Sequence, residues 1–347
     1  PWLWRALTWA LRQLPAEFAH QAALWLLALA GRIHIARLWL AHSLPPPPPM
    51  PLRLGDLTFV NRVGLAAGYD KNAVALEGLA LLGFGHIEVG TVTPLPQPGN
   101  PRPRVFRRLA AGALVNRMGF PSDGARAVAR RLERYRRDHP LGSPPLLAVN
   151  LGKNKQTPLD QAAADYALAA TLLAPYADLL VLNVSSPNTP DLRALQTVEH
   201  LQALLEATRA AARSAAARSV PVWVKLAPDM ESADLARLVQ HLPADALVLT
   251  NTTVSRPVDL GAAGDEAGGL SGMPLAPLAL QVQKLVVQSG CVLPLVASGG
   301  VVSAERAVER LQAGASLVQV WTGLVLRGPA LVGQVGRALA AARGEHV

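Results

Sequence analysis

Eight short aliphatic runs recur along the chain and constrain its fold more than any other feature. They are VGLAAGY (63–69), HIEVGTV (86–92), LLAVNLG (146–152), DLLVLNVS (178–185), PVWVKLA (221–227), ALVLTNT (246–252), LPLVASGG (293–300) and LVQVWTG (317–323). Helix-like stretches such as LDQAAADYALAATLLAPYA, ESADLARLVQHL and SAERAVERLQAG lie between them. Near-continuous apolar strands alternating with helices are the pattern of a parallel sheet. Eight repeats within residues 51–347 predict an α/β fold, a (β/α)8 TIM barrel. An open doubly wound sheet is the alternative, but no G-x-G-x-x-G follows the first run.

In such a barrel the chemistry gathers at the C-terminal strand ends. Here those ends are polar: AAGYDK, GTVTP, NLGKNK, NVSSPNT, KLAPD, TNTT, SGG and WTG. Asn150, Asn183, Asn188 and Asn251 fall among them. Uncharged amides, each with a donor and an acceptor, suit a ring with alternating carbonyl and N–H edges, although each alone is an ordinary turn residue. Gly299 and Gly300 before a helix, with Thr322 and Gly323 before the last one, offer backbone N–H groups to a phosphate. Lysine is scarce: Lys71, Lys153, Lys155 and Lys225 sit at or just beyond strand ends, as sites needing a compact ammonium would, and only Lys284 lies elsewhere.

The first 50 residues have a different character. Trp2, Trp4, Trp9, Trp25 and Trp39 lie there among leucines and arginines, and five prolines at 45–49 close the segment. The expectation is an amphipathic helical pair (1–44), a stiff linker (45–50) and the barrel (51–347). The apolar stretch after His20 ends at Arg32, too short to span a bilayer, and no signal-type cleavage site is present. The pair suits a membrane interface, or else docks on the main domain.

A net charge of +9 admits nucleic acid, anionic membrane or anionic ligands. Arginines such as those of ARRLERYRRDH (129–139) read first as a solvated helix face, and nothing resembling a nucleic-acid module interleaves aromatics with them, which disfavours nucleic acid. A chain this long and apolar needs neither disulfide nor metal to fold. The single Cys291 reads as filler at a strand start in a protein of a reducing compartment.

GLAAGYDK, GFGHIEVGTVTPLPQPGNPRPRVFR, VNRMGF, VNLGKNKQTP, NVSSPNTPDLRALQ, KLAPD, TNTT, GGLSG and GASLVQV stand in the order found in one family. From Leu54 to about Gly336 the chain resembles dihydroorotate dehydrogenase, in its membrane-associated, quinone-reducing branch. The resemblance implies oxidation of dihydroorotate to orotate in pyrimidine biosynthesis, with flavin mononucleotide (FMN) over the barrel mouth and a membrane quinone as final acceptor. It places Ala66, Ala67, Gly68, Thr91, Asn150 and Asn183 against FMN, together with Lys225, Thr250, Gly272, Gly300, Trp321 and Thr322. It gives the substrate Lys71, Asn116, Arg117, Met118, Gly119 and Phe120, with Asn188, Asn251, Thr252 and a shared Asn183. Arg107 falls beside the quinone and the N-terminal pair becomes the quinone entrance.

The resemblance also makes Ser186 the catalytic base. It takes the C5 proton of dihydroorotate and passes its own onward, with Thr189 and an ordered water as candidates for that relay; Ser185 reads as a neighbour facing away. The implied setting is a monomer held peripherally on a membrane, for a bacterial protein the cytoplasmic face of the inner membrane. Two departures stand out: Trp321 where relatives carry tyrosine, and ASGG where they carry GVGG. The competing readings are a flavin barrel acting on another reduced pyrimidine, a Schiff-base aldolase using Lys225, and a non-catalytic membrane scaffold.

Overall fold

The computed structural model describes residues 2–258, 260 and 266–344, apart from the side chains of Trp2, Leu3 and Arg5; the outermost residues of the expected ranges, 1 and 345–347, lie outside it. The chain opens with α1 (Trp2–Gln13), α2 (Ala16–Arg32) and α3 (His34–Ser43), then a hairpin of β1 (Leu52–Leu54) and β2 (Leu57–Phe59). Next come β3 (Val63–Leu65), α4 (Leu76–Ala80), β4 (His86–Val92), β5 (Val105–Arg108), β6 (Ala113–Asn116), α5 (Ala125–Asp138), β7 (Leu146–Leu151) and α6 (Ala162–Leu173). The middle of the chain forms β8 (Leu179–Asn183), α7 (Val198–Ala216), β9 (Val222–Leu226), α8 (Ser232–His241), β10 (Ala246–Leu249) and β11 (Gly269–Gly272). It ends with α9 (Ala276–Gln288), β12 (Leu295–Ala297), α10 (Ala304–Gln312), β13 (Leu317–Val320), α11 (Thr322–Arg327) and α12 (Ala330–Ala342).

Strands β3, β4, β7, β8, β9, β10, β12 and β13 pair in parallel and in that order, with β13 closing on β3. These are the eight runs seen in the sequence, and the fold is a (β/α)8 barrel. Alternation along each strand divides its residues between two environments. Outward-facing Leu147, Val149, Leu180, Leu182, Val224 and Leu247 join the helices in the main core. Each side chain so buried contributes about 1.5–3 kcal/mol. Inward-facing Leu146, Ala148, Val181, Trp223, Val248 and Val296 fill the lower barrel, and Phe59 from the β1–β2 hairpin plugs it from below. Continuing the same inward parity, Glu88, Asn150, Asn183, Lys225 and Gln319 form a polar upper layer. The arginine-rich run lies on α5, whose Val128, Leu132 and Tyr135 are buried while Arg126, Arg130, Arg134 and Arg137 face solvent.

The expected N-terminal helical pair is three helices. The second half breaks at Ile33, which is extended (φ −100°, ψ 116°), and α2 and α3 meet at 110°. The reason is packing against the barrel. A Cβ at Gly31 would lie 2.5 Å from Glu77 Cβ, and one at Gly78 would lie 2.0 Å from the Leu27 carbonyl. Helices α2 and α4 therefore touch backbone to backbone at this crossing, and the chain must turn beyond it. The proline linker also lies on the barrel, with Pro47 against Gly83 and Gly336. Among the described residues no single helix is long and apolar enough to cross a membrane.

Candidate active site

A cavity of about 490 Å³ opens at the C-terminal mouth of the barrel and runs up between α1, α2 and α3. Its floor is the polar layer. Glu88, wholly buried, accepts from Asn150 Nδ2 (2.6 Å) and Gln319 Nε2 (2.7 Å), and Lys225 Nζ lies 3.7 Å away. Asn150 Oδ1 in turn accepts from Thr91 Oγ1 (2.6 Å) and Asn183 Nδ2 (3.1 Å). Ser185 Oγ donates to Asn183 Oδ1 (2.9 Å) and accepts from Asn251 Nδ2 (2.9 Å). One chain of hydrogen bonds thus runs from β4 to the loop after β10 and fixes the orientation of each amide.

Ser186 lies on the cavity wall, nearly buried, and its Oγ accepts from the Asn188 amide at 3.2 Å. Asn188 Nδ2 donates to Asn116 Oδ1 (3.3 Å), so Asn116, Asn188, Asn251 and Ser186 converge on one wall with Met118, Gly119, Phe120 and Thr252. Lys71 reaches the same space and donates to the Gly68 carbonyl at 2.5 Å. Burial, with a contribution from the Arg104 charge, lowers its pKa to about 8.

The opposite side is aromatic. Trp321 stacks on His20 of α2 at 6.3 Å, and Tyr69 meets the His20 ring edge-on at 5.0 Å. Burial first, and then the Lys71 charge, lower the His20 pKa to about 3, so it is a neutral imidazole at physiological pH. Above it, Trp4, Leu7, Leu11, Ala23, Leu27 and Trp39 make an apolar sleeve. Arg107 lines this sleeve and donates from Nη1 to the Leu11 carbonyl (3.0 Å) and from Nη2 to the Leu14 carbonyl, closing the end of α1.

Nearly all the residues singled out in the sequence are wall residues of this one cavity. Ala66, Ala67, Gly68, Thr91, Asn183, Lys225, Thr250, Gly300, Trp321 and Thr322 all line it. Asn150 and Gly272 lie behind the wall. Asn150 holds Asn183 and Thr91 from below, and Gly272 (φ +95°) lets β11 pass the Gly112 carbonyl, which a Cβ would approach to 2.3 Å. Arg117 departs from expectation: its guanidinium donates to the Pro103 carbonyl at 3.0 Å and lies over the Phe106 ring, outside the cavity. Lys153 and Lys155 do not reach the cavity either. The first caps carbonyls of its own loop (Thr157, 2.7 Å) and the second bonds Asn100 Oδ1. Ser185 does lie off the wall, yet it bridges Asn183 and Asn251 instead of standing idle. Glu88, Gln319, His20 and Glu17 belong to the site and were missed.

The cavity suits a flavin on its own chemistry. Gln319 Oε1 is buried with no partner on the wall, and such an acceptor calls for a donor. Gly299 and Gly300 hold φ of +84° and +74°, and a Cβ on Gly300 would meet Ala276 Cα at 2.4 Å. Glycine there lets the turn after β12 pack directly against the start of α9.

A buried polar floor carrying an ammonium, beneath an apolar sleeve, at the mouth of a (β/α)8 frame, defines a barrel protein with a built ligand site. A sequence model described as dihydroorotate dehydrogenase matches residues 52–342. The dihydroorotate dehydrogenase (quinone) of Azotobacter vinelandii is 45% identical over 342 residues, covering 96% of each chain. That of a Nocardioides species is 52% identical over 289 residues, 79% of this chain and 81% of its own. Among solved structures, the Eimeria tenella enzyme in complex with ferulenol superposes with a TM-score of 0.85 at 34% identity, covering 95% of this chain and 92% of that one. Its ligand-free form gives 0.79 at 36% identity, with coverage of 92% and 96%. The chain belongs to the dihydroorotate dehydrogenase family.

Proposed function

We propose that this protein oxidises dihydroorotate to orotate with FMN as the bound electron acceptor and passes the electrons to a membrane quinone. The observation that carries this reading is the single cavity whose polar wall and apolar sleeve meet at the barrel mouth. Bound FMN supplies a two-electron acceptor; the chain's residues do the rest.

On the polar wall, Lys71 pairs with the substrate carboxylate, and Asn116, Asn188, Asn251 and Thr252 hold the ring's carbonyl and N–H edges. Met118, Gly119 and Phe120 close over it. Ser186 accepts the C5 proton. A neutral hydroxyl is a weak base, so it releases its own proton as it accepts one, through an ordered water and the buried Thr189. Lys225, countered by Glu88, faces negative charge on the cofactor. Asn183 and Thr91 hold the ring system, with Ala66, Ala67, Gly68, Thr250, Trp321, Thr322 and the Gly300 turn around it. Asn150 and Gly272 support that site from behind.

On the apolar side, His20, Trp321 and Arg107 line the path by which a quinone enters between α1 and α2. Trp9, Phe18, Trp25, Ile35 and Leu38 on the three helices are each more than half exposed. Aromatic and aliphatic side chains beside the exposed Arg32 suit an anionic bilayer interface. Residues 1–44 therefore serve as membrane contact and quinone entrance, 45–50 as linker, and 51–347 as the catalytic barrel of a monomer at the inner face of a bacterial cell membrane.

The test is dihydroorotate-dependent quinone reduction by the full chain. Turnover with a quinone exceeds that with NAD or fumarate, and Ser186→Ala lowers it by about 10²–10⁴-fold while bound flavin stays constant. Equal turnover in Ser186→Ala removes Ser186 from the role, and a flavoprotein oxidising only another reduced pyrimidine overturns the substrate.

A further inference from the structure

The N-terminal helices also reach the substrate side of the cavity, through one ion pair. Glu17, in the first turn of α2, accepts from Arg104 Nε (3.0 Å) and Nη2 (2.8 Å), with Arg102 Nε at 3.1 Å on the same oxygen. The Arg104 side chain is only 7% exposed and that of Glu17 16%, so the pair is shielded from solvent. The remaining Arg104 nitrogen donates to the carbonyls of Pro98 (2.7 Å) and Asn100 (3.0 Å), gathering the 97–104 loop around one guanidinium.

That loop carries the wall proposed to hold dihydroorotate. Asn100 N donates to the Met118 carbonyl (2.9 Å), and Asn100 Nδ2 donates to the Arg117 carbonyl (3.0 Å). The Arg117 amide donates to the Arg104 carbonyl (2.9 Å). Gly119 sits so close to Asn100 that a Cβ would lie 2.6 Å from its Cγ. Shifting Arg104 therefore shifts residues 116–120. Glu17 and Lys71 line the same cavity, and the Arg104 and Glu17 charges act in opposite senses on the ammonium proposed to meet the substrate carboxylate.

We propose that Glu17 is a positioning residue for the dihydroorotate end of the site: it pins Arg104, and with it the 97–104 loop, and offsets the Arg104 charge where Lys71 must bind an anion. This rests on Lys71 and residues 116–120 holding dihydroorotate, as proposed above. Seating of the helical segment on the barrel is then coupled to substrate affinity as well as to quinone access.

The charged groups acting on Lys71 are few. Arg104 opposes its protonation, Asp70 and Glu17 favour it, and His20 and Tyr69 are neutral, with pKa values of about 3 and about 12. Lys71 begins from about 8, so orotate affinity falls as pH rises through that value. Loss of the Glu17 charge moves the fall to lower pH. Loss of the Arg104 charge moves it to higher pH. Opposite displacements by the two halves of one ion pair are not what general loosening produces.

The test is calorimetric titration of orotate into the flavin-loaded full chain from about pH 6 to about pH 9, spanning the fall expected for Lys71. In Glu17→Gln, orotate affinity near pH 6 falls through the released loop alone, and near pH 8 it falls by about fivefold more, the factor for a decrease of about one pKa unit. Glu17→Asp restores the profile, Arg104→Gln displaces it upward, and flavin content is equal in all. Coincident profiles for the original protein and Glu17→Gln overturn the inference. So does a loss equal at every pH, or a displacement of both variants in one direction. If the unaltered protein binds no orotate at any pH, the dihydroorotate reading itself fails.

Discussion

At the scale of single residues, the floor of the cavity depends on Glu88. Its carboxylate is buried and engaged by Asn150, Gln319 and the Lys225 ammonium. Removing one partner of a buried pair leaves the other charge uncompensated, at a cost of about 3–5 kcal/mol. Glu88→Gln is expected to lower unfolding free energy by about that amount in urea denaturation and to weaken flavin retention, since Lys225 loses its fixed counter-charge. A change below about 1 kcal/mol would show that Lys225 does not need it. The sequence already held a sign of this residue. In HIEVGTV and LVQVWTG the polar His86, Glu88 and Gln319 occupy alternate positions, so strand parity puts them on one face, inside the barrel. Inspecting only the strand ends passed over them. Arg117 differs from its neighbours: Asn116 and Met118 face the cavity, while its own side chain turns out onto Phe106.

At the scale of elements, eight strands and their order were legible because a buried parallel strand leaves a local apolar signature. The antiparallel sheet of β5, β6 and β11 was not. It pairs Asn116 with Gly269, and no local pattern links segments so far apart. The break between α2 and α3 was likewise hidden, because its cause is contact with α4 at Gly31 and Gly78. Gly78→Val places atoms where the Leu27 carbonyl lies, and is expected to push α2 away from the barrel. Flavin reoxidation by quinone then slows by tenfold or more, and the dihydroorotate concentration for half-saturation rises because Glu17 is withdrawn from Arg104. The circular dichroism of the barrel remains. Unchanged kinetics with both substrates would mean that this crossing does not seat the helices.

At the scale of the whole molecule, the barrel positions two different surfaces around one cavity. Strand ends supply amides, a hydroxyl and two lysines from distant parts of the chain, while the first three helices supply an apolar passage and present tryptophans outward. The convergence was readable in outline from the polar strand ends and their order. The Glu17–Arg104 link, made between residues far apart in sequence, became visible only in three dimensions. The central claim is that both half-reactions use this one cavity. It is tested most directly by anaerobic stopped-flow absorbance of the flavin in the full chain. Dihydroorotate is expected to bleach the flavin within one turnover, and subsequent mixing with a quinone in detergent to restore its colour with orotate as the product. A colourless protein, or a flavin that dihydroorotate leaves oxidised, would contradict the account.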